Sequence, residues 1–183
     1  MTLHLFEIVP AERGPEAVRA TVAAVDEAAR EHGGAVLESQ FARGAGRLFA
    51  VVELDGPAEA LGRALRGRLE GAAAEFDGPH EVRLVGAEVE QIRALPRSAD
   101  YLVEWDIPAE IGMDRYLEAK RAKSPRYAEI PEVSFLRTYV REDTVKCLCL
   151  YDAPDEQAVR RAREIVSTPV DRLHRLEEEE RPS

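Results

Sequence analysis

Short apolar runs alternate with helical patterns along the chain, and the order of elements occurs twice. "LHLFEIVP" (3–10) reads as a strand stopped by proline, and "YLVEWDIP" (101–108) reads the same way half a chain later. "VVELDGPAEAL" (51–61) and "LCLYDAPDEQAV" (148–159) are a second matched pair. In both, an apolar run meets Asp-Gly-Pro or Asp-Ala-Pro and passes into a helical pattern. Proline in a first helical turn forfeits no hydrogen bond, and a nearby Asp can cap.

The segments between these anchors agree. The first half predicts strands at 3–9, 35–42, 47–54 and 81–89 and helices at 15–31 and 57–69. The second predicts strands at 101–107, 133–140, 145–151 and 170–176 and helices at 111–122 and 154–166. "RLEGAAAEFDGP" (68–79) reads as an insertion. Each half is thus β-α-β-β-α-β, the ferredoxin-like order. Such a unit puts both helices on one face of its sheet, and the other face needs cover. The expected fold is α+β: two tandem ferredoxin-like repeats whose antiparallel sheets face each other as an intrachain dimeric α/β-barrel. The expected boundaries are 1–90 for the first repeat, 91–99 for a linker, 100–177 for the second repeat and 178–183 for an acidic tail.

Alternation also assigns faces. Pairing 138 with 147 and 136 with 149 places Leu136, Thr138, Val140, Cys147 and Cys149 on the helix-covered face. Phe135, Arg137, Tyr139, Lys146, Leu148 and Leu150 take the other. In the first half Phe41, Leu48, Ser39, Ala50, Leu37 and Val52 pack under helices, while Glu38, Gln40 and Glu53 point away. Cys147 and Cys149 therefore read as core filling, with a metal or redox role as the alternative. Two apart on a strand, their side chains lie ~6.6–7 Å from each other, a poor span for a disulfide.

The polar face is the better place for chemistry. Glu104, Arg137 and Tyr139 are the expected catalytic set: an arginine fork for a carboxylate or enolate, a glutamate with a raised pKa to move a proton, and a tyrosine to stack. His4, Glu38, Gln40, Asp106, Lys146 and His174 are the expected ligand-binding set, with His4 placed by strand parity. No metal ligands or cofactor are expected: the chain has no His-Glu-x-x-His, paired Cys-x-x-Cys, Gly-x-Gly-x-x-Gly, phosphate loop or Gly-x-Ser-x-Gly.

Composition narrows the partners. The formal net charge is −10 over 183 residues, which argues against nucleic acid. The one basic cluster, "KRAKSPR" from Lys120 to Arg126, suits a solvated helix end as well as a phosphate site. No run approaches a membrane span and no leader precedes the first strand. Two cysteines in such a chain point to a reducing cytoplasm. A small-molecule ligand is the expected partner, and a homo-oligomer is compatible with the pattern.

"YLVEWDIP", "RTYVREDTVK" and above all "CLYDAPDEQAVRRA" resemble a family of small bacterial ferredoxin-like proteins, mostly of unknown function and some described as nickel-binding. The resemblance covers roughly residues 100–176. It implies the fold. Where that family commonly carries histidine this chain has Ala162 and Arg137, and the family's glycine is Ser167. Nickel favours imidazole ligands, so the family's metal binding is not carried over. The expected function is a small-ligand-binding protein with its cavity between the two sheets. The alternatives are a cofactor-free isomerase, cyclase or oxygenase using that cavity, and a divergent nickel-binding protein.

Overall fold

The computed structural model describes residues 1–94 and 99–177. The expected acidic tail and residues 95–98 of the expected linker lie outside the described residues. The chain divides into two compact units, one made of Met1–Val82 with a short helix that follows, the other of Arg83–Glu88 with the chain from residue 99 onward.

The first unit runs β1 (Thr2–Pro10), α1 (Pro15–Glu31), β2 (Gly34–Ala42), β3 (Arg47–Leu54), α2 (Ala58–Arg68) and β4 (Ala73–Val85), then α3 (Val89–Arg93). Its strands are ordered β2-β3-β1-β4 and pair antiparallel. Pro15 opens α1, and Val18, Thr21, Val25, Ala28 and Ala29 form its buried stripe. That stripe and Leu61 and Leu65 of α2 close on Phe6, Ile8, Leu48, Ala50 and Val52 of the sheet. Each large side chain so buried contributes roughly 1.5–3 kcal/mol.

The second unit runs β5 (Tyr101–Asp106), α4 (Met113–Lys123), a 3-10 helix (Ser124–Glu129), β6 (Ser134–Arg141), β7 (Lys146–Asp152), α5 (Glu156–Ile165) and β8 (Arg172–Arg175). The strand order β6-β7-β5-β8 is that of the first unit. Asp155 caps α5, its Oδ1 accepting from the Ala158 N–H at 2.8 Å. The helix closes with the Ser167 N–H on the Glu164 carbonyl and the Thr168 N–H on the Arg163 carbonyl, a Schellman arrangement. The chain is therefore α+β and a tandem ferredoxin-like repeat. Among the described residues no helix is long and apolar enough to cross a membrane.

Several local expectations change. The segment read as an insertion is in large part strand: Phe76 lies opposite Ile8 and Ala73 opposite Pro10 in β4. Gly78 and Pro79 interrupt its alternation at a register shift between Leu5 and Glu7, and a second shift falls between Val9 and Pro10, where Glu75 gives way to Ala73. The second hairpin pairs Thr138 with Cys149 and Val140 with Cys147. That is two residues from the expected register, so those residues keep their faces. A bulge at Leu136 turns Phe135 to the helix side, where it stacks on Tyr127 at 5.3 Å. β2 is irregular at the same distance from its own turn, and Val36 rather than Leu37 faces Val52. Finally, His4 lies opposite Val52 and Phe6 opposite Ala50, so both sit on the helix-covered face. The buried β1 carboxylate on the opposite face is Glu7, which the parity reading missed.

Candidate functional site

The structure brings four of the expected polar residues together. Glu104, almost fully buried on β5, accepts from Lys146 Nζ at 2.7 Å and from Arg172 Nε at 2.9 Å, with His174 Nε2 at 2.7 Å. Arg172 also grips Asp106 with both Nη atoms, at 2.9 and 2.6 Å. Tyr139 lies opposite Leu148, which lies opposite Glu104 on its other side, so the expected pair shares a face. Arg137, also buried, sits opposite Leu150. The expected proton chemistry does not hold. Burial pushes the Glu104 carboxyl up, but hydrogen bonds from His174, Lys146 and Arg172 outweigh it and hold the group well below the usual carboxylate range. A glutamate so clamped is a fixed anion and a poor base.

The first-unit residues are engaged locally. Gln40 Nε2 donates to Glu38 Oε2 at 2.7 Å, and the Arg93 guanidinium clasps Glu53 through Nε, at 3.0 Å, and Nη2. His4 Nε2 lies 2.8 Å from Thr2 Oγ1. Burial lowers its pKa, opposed by Glu81.

A different place in the second unit has the makings of a site. On the helix side, α4, the 3-10 helix and α5 enclose a cavity of about 240 Å³ against β5 and β7. Trp105, Tyr116 and Tyr127 supply aromatic wall, and Cys147 and Cys149 lie at the sheet. Arg115, Lys120, Lys123 and Arg163 also line it, and no aspartate or glutamate does. The cavity exists because α4 packs sparsely: Tyr116 is its one buried residue among those described, against five in α1.

Arg163 is the unusual member. It falls one turn after Val159 on the buried stripe of α5 and is only 2% exposed. Its Nη1 donates to Tyr151 Oη at 3.1 Å and reaches Cys149 Sγ at 3.5 Å, and its Nη2 donates to the Pro169 carbonyl at 2.6 Å. Its Nε is buried with no hydrogen-bond partner among the described residues, while the buried Tyr116 hydroxyl is set against the Cys147 thiol. A guanidinium withdrawn from water without a carboxylate is expensive unless an anion joins it.

Cys149 offers part of that anion. Thr138 Oγ1 donates to its sulfur at 3.2 Å, Lys120 Nζ stands 3.9 Å away, and Cys147 Sγ is also at 3.9 Å, closer than the strand spacing predicts because the two side chains lean together, though both remain free thiols. The hydrogen bond from Cys147, then Lys120, Arg163 and Thr138, bring the Cys149 thiol well below its ordinary value against the effect of burial. Cys147, hydrogen-bonded to Cys149 and buried, is pushed well up. Burial and the two sulfurs also raise the Tyr116 phenol. The parity reading placed both cysteines on the correct face but missed their polar company. The available signal was an arginine on the apolar stripe of "EQAVRRAREI", together with the basic run that begins at Lys120.

Residues 101–176 match the family model of the nickel responsive protein SCO4226-like. The whole cavity lies inside that span. Among solved structures, the chain is similar to a candidate chlorite dismutase, TA0507, at 13% identity and a TM-score of 0.60, over 97% of this chain and 95% of that one. It is similar also to a candidate monooxygenase from Fusobacterium nucleatum subsp. nucleatum, at 9% identity and a TM-score of 0.54, over 96% and 91%. At such identities the likeness is one of fold. No curated protein matches the chain. The donors do not fit nickel. Among the described residues no three His, Cys, Asp or Glu side chains are grouped so as to hold a metal ion, and the two cavity sulfurs stand among cations.

Proposed function

We propose that this protein binds a small organic anion with a flat apolar body in the helix-side cavity of its second repeat. The observation that carries this reading is Arg163, a buried guanidinium with an unpartnered Nε and no carboxylate among its hydrogen-bond partners. Lys120 and Lys123 add charge from α4 in a chain whose net charge is −10, so cations gathered without acids stand against the background. The aromatic wall suits a ring or conjugated system, while an arginine fork suits a carboxylate. The ligand expected from the sequence is kept, and its place moves from the polar sheet face to the helix side. Glu104 and its cations then serve as a structural ion-pair cluster.

Benzoate and its neutral isostere benzamide separate charge from shape. Thermal unfolding of the full chain with each at millimolar concentration should show stabilisation by benzoate and little by benzamide. Arg163→Met should abolish the benzoate response. Arg163→Met also deprives the Pro169 carbonyl and the Tyr151 hydroxyl of a donor and should itself lower stability, so the benzoate response is read as a shift relative to the variant's own melt. Equal responses to the two compounds, or a benzoate response that survives in Arg163→Met, would sink the reading.

A further inference from the structure

We propose that Cys149 is a nucleophile of this cavity, forming a thioether with small carboxylates that carry an electrophilic carbon. The proposal rests on the anion-binding reading and adds a reaction to it. Cys149 and the cavity cations are not merely close in sequence order: Cys149, Lys120 and Arg163 line one space, with Lys120 Nζ at 3.9 Å and Arg163 Nη1 at 3.5 Å from the sulfur. One further group points to an absent ligand. Arg163, 2% exposed, lines the same cavity, and its Nε has no hydrogen-bond partner among the described residues.

The surroundings do what a nucleophilic thiol requires. The thiolate is the reactive form, and adjacent cations and hydrogen-bond donors favour it. Thr138 holds the sulfur from β6, and Cys147, whose own thiol is pushed up and keeps its proton, faces it at 3.9 Å. Arg163 and Lys120 would bind the carboxylate that brings the electrophilic carbon to sulfur. The sulfur lone pair forms the C–S bond, and the bond from that carbon to its leaving group breaks with the electron pair departing on the leaving group. No oxidant or reductant enters. Cys149 is 1% exposed, so a reagent reaches it through the cavity and meets the cations on the way.

Iodoacetate and iodoacetamide are the probes, since they share a reacting carbon and leaving group and differ in charge. The native protein at pH 7 is treated with each, and peptide mass spectrometry reads the rate at Cys149 and at Cys147. We expect Cys149 to be labelled in preference to Cys147. We also expect the iodoacetate-to-iodoacetamide rate ratio to exceed that of glutathione about tenfold, and to fall towards the glutathione ratio in Lys120→Met. The iodoacetate rate at Cys149 should fall less between pH 8 and pH 6 than the rate at glutathione does. The wild-type ratio decides the matter even if a cysteine variant folds poorly. An unlabelled Cys149, or a ratio equal to that of glutathione, overturns the proposal. If benzoate still stabilises the protein in that case, the anion site stands and only the nucleophile fails. If benzoate has no effect either, both readings fall together.

Discussion

The two repeats share a strand order and differ in what their helices do. Counted outward from the hairpin turns, Ser39 faces Ala50 in the first repeat where Thr138 faces Cys149 in the second. In the first, α1 brings a long apolar stripe down onto this part of the sheet, and Ala50 packs beside Phe6, Leu48 and Val52. In the second, the shorter α4 brings Tyr116 and long basic side chains, and the space that remains is a cavity with charge on one wall. One backbone plan thus yields a packed core in one copy and a candidate site in the other. Helix hydrophobicity decides which, because a sheet face is filled only as far as the covering helix has apolar side chains to fill it.

The largest expected effect tests the packed copy. Phe6 is fully buried in the first core, against Phe76 at a centroid distance of 5.9 Å. Phe6→Ala should lower unfolding stability by roughly 3–5 kcal/mol in urea titration, through lost transfer energy and a cavity. The stabilisation given by benzoate should persist. A loss under ~1 kcal/mol would show that the first repeat is looser than its burial implies. A vanished benzoate response would tie the second-repeat cavity to the integrity of the first.

A smaller effect tests the ion-pair cluster around Glu104, which lies opposite Leu148 as Glu7 lies opposite Phe49 in the first repeat. The Glu104 carboxyl is depressed in the folded state, so the unfolded chain takes up its proton first as pH falls. The cluster's contribution is therefore complete well above the unfolded value of about 4.3 and is lost as pH drops through and below it. Glu104→Gln should cost about 2–3 kcal/mol at pH 7, below the range for a wholly buried pair because Arg172 reaches solvent. The difference from wild type should shrink through acid. A constant difference between pH 7 and pH 2.5 would mean that the carboxylate charge is not what stabilises the fold.

Much of this was legible in the sequence, and the exceptions have physical causes. Strand order, helix positions and the faces of Cys147 and Cys149 followed from periodicity, because a shift of two residues leaves every side chain on its own face. The bulge at Leu136 left no mark in the pattern, so Phe135 was placed on the wrong side. His4 was misplaced by one residue of parity, which is enough to exchange it with Glu7. Glu104, Asp106, Lys146 and His174 were each singled out, but in two different sets, and neither their grouping nor the sign of the Glu104 shift was legible. That sign depends on Arg172, distant in sequence and lying in a four-residue strand. The cavity was hidden because Arg163 reads as one more surface charge among arginines until the stripe around it is known to be buried.

The smallest effect concerns how the candidate site is closed. After α1 and α2 the first repeat places glycine in the left-handed region, Gly33 at φ 82° and Gly71 at φ 77°. After α5 the second repeat has Ser167 there instead, at φ 52°. A side chain in that conformation costs roughly 1–2 kcal/mol, part of which glycine would give back through its freer unfolded state. The Schellman bonds and the 3.1 Å contact from Lys123 Nζ to Ser167 use backbone atoms that glycine keeps. Ser167→Gly should therefore raise stability by about 0.5–1 kcal/mol and leave the benzoate response unchanged. Both are read from the same thermal melts, with urea titration fixing the size of the first. If stability rises but the response weakens, the Ser167 side chain, which stands in the cavity wall at the helix end, contacts the ligand. If stability falls, the hydroxyl makes a compensating contact, and the strain argument at this turn is wrong.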